Sequence, residues 1–241
     1  MASKIKCFFS WSGGKDSSLA LYRLLKNPVY EICYLVTTVN EGANRISMHG
    51  VREELLLLQA ESIGIPLYQI RLPKMPDTGT YNRVMHQHYL NFKEQGITHA
   101  AYGDIFLQDL KAYRDARLAE AGLIGVYPLW QQDTQQLLDE FWSVGFKTII
   151  ACTQASLGHM AGQELTAGLV NTFPAGVDVC GENGEFHTFA FEGPIFQRPI
   201  KVSKGEKVFR SFQAPKQTDS VHANASLPEL AGFWYCDLLP A

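Results

Sequence analysis

Residues 12–17 read Ser12-Gly13-Gly14-Lys15-Asp16-Ser17, standing between an apolar run (Ile5, Cys7, Phe8, Phe9) and a helical one (Leu19, Ala20, Leu21, Leu24, Leu25). This is a glycine turn that joins a buried strand to a helix start. Glycines let backbone N–H groups approach an anion closely, and the N-terminus of the following helix adds partial positive charge. Lys15 supplies a full charge, and the hydroxyls of Ser12 and Ser17 donate to phosphate oxygens. The run is not a Walker A loop, which needs a longer spacer between its first glycine and its Gly-Lys pair.

Outward from this turn, apolar runs alternate with helical patterns. Strands are expected at residues 5–9, 32–39, 67–72 and 99–102, and helices at 17–26, 51–63, 80–94 and 108–121. In the second helix Val51, Leu55 and Leu58 form an apolar stripe widened by Leu56, Ala60 and Ile63, and Gly64 is placed to end it. Alternation of this kind predicts an α/β fold: a doubly wound parallel sheet with helices on both faces. Such sheets bind ligands beyond the carboxyl ends of their strands, where the strand order reverses, and the glycine turn occupies that place. A second, smaller α/β unit is expected from about Tyr127-Pro128-Leu129-Trp130, dividing the chain into 1–128 and 129–241. It holds a helix at 134–144, the buried run 148–152, a helix at 163–171 and a glycine-rich segment. Phe233-Trp234-Tyr235-Cys236 reads as a last strand docking on the core, and the polar stretch 214–227 as a mobile loop.

Composition narrows the classes. The 241 residues are 46% hydrophobic and 19% charged, which is ordinary for a globular protein. No stretch approaches the ~18 uninterrupted apolar residues of a membrane span. The first residues lead straight into the first strand, leaving no room for a signal peptide, and the five cysteines are scattered, with no Cys-x-x-Cys. Both point to reduced thiols in the cytoplasm. A net charge of −3 without a basic block argues against nucleic acid as a partner, and the aromatic tail offers a patch for a homodimer.

The second unusual stretch is Cys180-Gly181-Glu182-Asn183-Gly184-Glu185-Phe186-His187-Thr188. If the chain is extended from Glu185 onward, Glu185 and His187 project to one side and Phe186 and Thr188 to the other. A carboxylate beside an imidazole suits general acid/base work or metal-assisted orientation. Equally, Asn183-Gly184 is a strong turn dipeptide, and the segment reads as a polar hairpin.

The glycine turn resembles the pyrophosphate loop of the adenine-nucleotide α-hydrolases, enzymes that split ATP between its α and β phosphates. Taken with Gly103-Asp104-Ile105, Tyr127–Trp130 and the segment 180–188, the chain resembles the diphthine–ammonia ligase family from about residue 5 to about 202. His187-Thr188 stands where a Glu-Thr pair is expected in archaeal and eukaryotic members, and Gly103-Asp104-Ile105 replaces a Gly-Ala-Ile-like run. Met48-His49-Gly50-Val51-Arg52 and the His187-Thr188 form are similar to a bacterial branch.

The resemblance implies an ATP-dependent ligase that forms AMP and pyrophosphate while converting a carboxylate and ammonia into an amide. Ser12, Gly13, Gly14, Lys15, Asp16 and Ser17 would hold the phosphates, with Lys15 and Mg²⁺ neutralising the departing pyrophosphate and Asp16 as metal ligand. Adenine would lie against Thr37, Thr38 and Val39, with Gly103 and Asp104 lining the cleft. Glu182, Glu185 and His187 would bind the acceptor or ammonia and remove its proton. His49, Arg52, Asn183 and Thr188 would touch substrate, although His49 and Arg52 read equally as a solvated loop. The acceptor would be a modified protein histidine or another carboxylate. Alternatives are an ATP pyrophosphatase acting on an acceptor such as tRNA, or a non-catalytic ATP sensor. Outside these positions, Arg114 and Arg117 read as surface ion pairs with Asp109, Asp115 or Glu120. His86 and His88, two apart on a helix, point to different faces and make a poor metal pair.

Overall fold

The computed structural model describes residues 3–40, 50–73, 76–211 and 232–241. Five strands, β1 (Ile5–Ser10), β2 (Tyr30–Asn40), β3 (Leu67–Leu72), β4 (His99–Ala101) and β5 (Ile124–Val126), form a wholly parallel sheet in the order β3-β2-β1-β4-β5. The helices between them are α1 (Lys15–Lys26), α2 (Glu53–Ile63), α3 (Thr78–Glu94) and α4 (Gln108–Glu120). Side chains alternate along β1, so Cys7 and Phe9 enter one core with Leu19, Leu21, Leu55 and Leu56. Phe8 enters the other, with Met85, Tyr89, Phe92 and Leu118. Helices therefore cover both faces: α1 and α2 on one, α3 and α4 on the other. The chain order reverses between β1 and β4, so the turn after β1 lies at the switch point where α/β sheets bind ligands.

Beyond α5 (Thr134–Ser143), β6 (Lys147–Gln154), β7 (Phe186–Glu192), β8 (Val202–Ser211) and β9 (Gly232–Pro240) make an antiparallel sheet in the order β7-β6-β9-β8. Its inward residues Ile149, Phe186, Phe189 and Leu238 share the core of α1 and α2. The sheet is stitched to the glycine turn itself, since Ala190 N donates to Gly13 O at 2.8 Å. The aromatic run 233–236 is the inner strand β9, held between β6 and β8.

Local chemistry sets the helix ends. Asp77 accepts from Thr80 N at 2.6 Å to start α3, and Asp133 accepts from Gln136 N at 2.9 Å to start α5. Gly64, at φ 80°, closes α2 in the left-handed conformation.

One expectation needs correction, and one element was missed. The helix read at 163–171 is only α6 (Ala167–Val170). The residues before it lie along β6 instead: Ile150 N donates to Gln163 O and Leu165 N to Thr148 O, each at 2.9 Å. Strand β5 carries no sequence signature, because it is three residues long and contains Gly125. The polar stretch 214–227 and His49 lie outside the described residues.

Candidate functional site

The chain leaves β1 through Trp11, whose N–H donates to Val36 O at 2.8 Å, and turns at Gly13, where φ is 78°. An L side chain there would be strained, and its Cβ would lie 2.6 Å from Gln59 Oε1. Fully buried Gln59 holds the turn in place. Its Nε2 donates to Gly13 O at 3.0 Å and to Ala190 O at 2.6 Å, while its Oε1 accepts from Trp11 Nε1 at 3.0 Å. One side chain of α2 thus fastens the strand exit, the turn and β7. Ser12 Oγ donates to Ser17 Oγ at 3.0 Å, and Ser17 Oγ and Ser18 Oγ donate to Gly14 O at 2.9 and 2.8 Å. Gly103 is required for close approach: a Cβ there would stand 3.0 Å from backbone atoms of Asp16 and Ser17.

The two sequence motifs meet. Lys15 N donates to Thr188 Oγ1 at 3.0 Å, and its ammonium donates to both Asp16 carboxylate oxygens, at 2.8 and 2.7 Å, and to the Cys180 carbonyl. The ammonium also lies 5.7 Å from the centre of the Phe186 ring. Burial works against the charge on Lys15, but Asp16, Cys180 and Glu182 outweigh it and hold the group protonated above its ordinary range. Glu182 is pushed up to about 7, first by burial and then by the Asp16 charge, with Lys15 pulling the other way. His187 is lowered to about 4 by burial and by Lys15, so its imidazole is neutral near pH 7.

Several expected roles change. Glu185 does not stand beside His187: it precedes β7, is buried, and its carboxylate accepts from Asp178 N and Asn183 N, both at 2.9 Å, and from Asn183 Nδ2 at 3.1 Å. It shapes the 178–183 loop, and Asn183 shares in that network. Thr188 is buried and anchors the glycine turn. Arg52 is engaged with Asp237 of β9 in a two-bond pair at 3.1 and 2.7 Å, which clamps the start of α2 to the second sheet. The Val39 side chain is fully buried in the core. Pairing of its strand with β1 ends at Val36, while β2 continues beside β3 to Asn40. The edge of residues 37–39 toward the glycine turn is thereby left without a β1 neighbour. Asp104 is tied to Arg114, whose guanidinium lies 4.4 Å over the Tyr102 ring, so Arg114 is no surface ion-pair residue. Arg117 does pair with Glu120, at 2.7 Å.

Sequence reasoning missed two site elements. Gln59 is one polar residue inside an apolar helix stripe, a signal that was available. The Cys180 carbonyl is a backbone group, and the thiol beside it, pushed up to about 12 by burial, is no nucleophile. Ser12, Thr37 and Thr38 line one end of a cavity of about 570 Å³ that opens from the carboxyl ends of β1 and β2.

As for a metal, no group of three or more His, Cys, Asp or Glu side chains able to hold one exists among the described residues. Magnesium does not need one; it is held by one or two carboxylates together with substrate phosphates. Asp16, a carboxylate beside the phosphate-type turn whose charge raises Glu182, fits that mode.

Comparison with known proteins agrees with this geometry. The sequence models for the diphthamide synthase N-terminal and C-terminal domains match residues 5–123 and 133–218. The chain belongs to the diphthamide synthase family. It is similar to diphthine–ammonia ligase of Danio rerio, 24% identical over 226 residues, covering 84% of this chain and 88% of that one. The Bos taurus protein of the same name is 26% identical over 227 residues, covering 84% and 85%. That of Mus musculus is 36% identical over a shorter span of 94 residues, 36% of this chain and 35% of the relative. Both motifs of the site fall inside the matched domains, the glycine turn in the first and residues 180–188 in the second. None of the described helices is long and apolar enough to cross a membrane.

Proposed function

We propose that this chain is an ATP-dependent, AMP-forming amide ligase of the diphthine–ammonia ligase type, with ATP, ammonia and a carboxylate acceptor as substrates. The observation that carries the reading is the junction of the two motifs: Lys15 joins a phosphate-type turn to Asp16, to the loop bearing Glu182 and to strand β7, which bears His187. In this reading Ser12, Gly13, Gly14 and Ser17, at the start of α1, hold the β and γ phosphates. The base lies on the open edge of residues 37–39. Residues 1–128 bind the nucleotide, and residues 129–241 supply the acceptor side.

A carboxylate oxygen of the acceptor attacks the α phosphorus, and the bond from that phosphorus to the bridging oxygen breaks with its electron pair leaving on pyrophosphate. Ammonia then adds to the acyl carbon of the mixed anhydride, AMP departs with the C–O electron pair, and the nitrogen loses a proton. Glu182, held near neutrality in pKa, is suited to take that proton, and neutral His187 to orient the incoming amine. Glu185 acts indirectly, by shaping the loop that presents Glu182. Asp16 would hold magnesium, which would supply charge neutralisation on the phosphates when bound. Catalysis is positioning and electrostatics, as in phosphoryl transfer generally.

The test is direct. The purified chain is incubated with ATP and Mg²⁺, with and without ammonium and a panel of carboxylates, and products are separated. AMP and pyrophosphate are expected, and ADP would refute cleavage between the α and β phosphates. Binding of ATP without any cleavage across the panel would favour a sensor.

A further inference from the structure

Lys15 stands inside a phosphate-type turn, yet it is only 3% exposed and its side chain runs toward the second sheet. An ammonium carries three N–H donors. Three acceptors surround this one: Asp16 Oδ1 at 2.8 Å, Asp16 Oδ2 at 2.7 Å and the Cys180 carbonyl. The centre of the Phe186 ring stands 5.7 Å away. The backbone N–H of Lys15 is committed as well, to Thr188 Oγ1 at 3.0 Å. To turn toward a phosphate, the ammonium would have to abandon a buried carbonyl or its carboxylate partner, and unpairing such groups is costly. Ser12 lines the cavity at the carboxyl ends of β1 and β2, and Lys15 does not.

The far end of this contact is an organised loop. Cys180 N and Glu182 N both donate to Asp178 Oδ1, at 2.8 and 3.3 Å, while Asp178 N and Asn183 N donate to Glu185, each at 2.9 Å. Thr134 ties the loop to the start of α5, donating to Asp178 Oδ2 at 2.8 Å. Lys15 ties it to the glycine turn, and its charge reaches Glu182, two residues beyond the carbonyl it holds.

We propose that Lys15 is a positioning residue of the ligase and not a phosphate ligand: it fastens loop 178–183 to the glycine turn and so sets Glu182 in place, while the backbone and hydroxyls of the turn grip the phosphates. The assignment rests on the amide-ligase reading and adds a division of labour to it. The nucleotide binds through residues that Lys15 does not replace, and the acceptor chemistry depends on the loop that Lys15 secures.

Lys15→Met tests this, because it keeps the length and apolar stem of the side chain and removes the donors. Calorimetric titration of the full chain measures α,β-methylene-ATP with Mg²⁺ and, separately, AMP. A ligand of the β and γ phosphates contributes to the first affinity and not to the second, and a charged hydrogen bond is worth roughly tenfold to a hundredfold. The ratio of the two affinities is expected to change less than fivefold in the variant; a larger fall overturns the proposal. Hydrogen exchange of residues 178–188 should quicken at least tenfold while that of residues 67–72 stays as in wild type, and unchanged exchange in the loop overturns it. In AMP formation with ammonium and a carboxylate that wild type turns over, kcat should fall at least a hundredfold with KM for ATP within fivefold. Retained kcat, or a loss carried by KM, overturns it. Lys15→Arg serves if the methionine variant folds poorly, since the longer planar head keeps the charge but not the geometry toward both Asp16 and Cys180; the same changes are expected in the same directions. If wild type cleaves ATP with no carboxylate, the ligase reading falls, while the affinity ratio and the exchange still decide what Lys15 holds.

Discussion

Replacing Gln59 with leucine is the sharpest structural perturbation of the site, because it keeps the volume and removes only the polar atoms. In the native chain the Gln59 amide bonds Trp11 Nε1, Gly13 O and Ala190 O at 3.0, 3.0 and 2.6 Å with no exposure to water. Gly13 O retains a second donor, Ala190 N at 2.8 Å, so the variant leaves two groups wholly unpaired in the core, the indole N–H and the Ala190 carbonyl. At about 1–3 kcal/mol for each, Gln59→Leu should lower unfolding free energy by about 2–6 kcal/mol. The loss falls on the turn, so ATP affinity should drop as well, by roughly tenfold or more. Gln59→Glu should be worse at alkaline than at acid pH, since only the protonated acid can donate to one of the two carbonyls that Nε2 serves. Urea unfolding and calorimetric titration of ATP measure both effects. A destabilisation below about 1 kcal/mol with unchanged ATP affinity would refute the claim that Gln59 holds the turn.

Other expectations follow from the same geometry. Glu182, raised from 4.5 to about 7 by burial and Asp16, favours the fold fully below its ordinary pKa and loses that contribution as pH rises through about 7. Without magnesium, Glu182→Gln should therefore gain stability over wild type as pH is raised from about 4 to about 9, by up to about 3 kcal/mol; a difference flat with pH would contradict the shift. Gly103→Ala places a Cβ 3.0 Å from the Asp16 and Ser17 backbone, so it should cost about 1–3 kcal/mol, weaken ATP binding and spare the second sheet, as hydrogen exchange would show. His187→Ala should leave the ATP dissociation constant unchanged while reducing amide formation at saturating ATP; equal loss of both would place His187 at the nucleotide.

Much of the first sheet was legible because its signals are local. A glycine pair between a buried run and a helical stripe can hardly form anything but a strand–turn–helix, and residues 67–72 were delimited by alternation and turns alone. What failed did so where tertiary pairing decides. Residues 163–166 carry a helical spacing, yet Gln163 and Leu165 satisfy their backbones on β6, so only a single helical turn survives. Glu185 was expected beside His187, but the strand begins one residue later and its carboxylate turns in to serve three loop N–H groups. Asp104 and Arg114 are ten positions apart and meet because the loop after β4 folds back against α4. Gln59 lies within the stripe of α2 that was read as purely apolar, and its polarity was the clue to the turn it grips.

A crystal structure of the chain with α,β-methylene-ATP and Mg²⁺ goes to the centre of the matter. The account predicts the β and γ phosphates against the backbone of residues 13–17, with Lys15 still bridging toward Glu182 and the base on the edge of residues 37–39. A triphosphate bound elsewhere, with the turn at Gly13 and Gly14 empty, would contradict it.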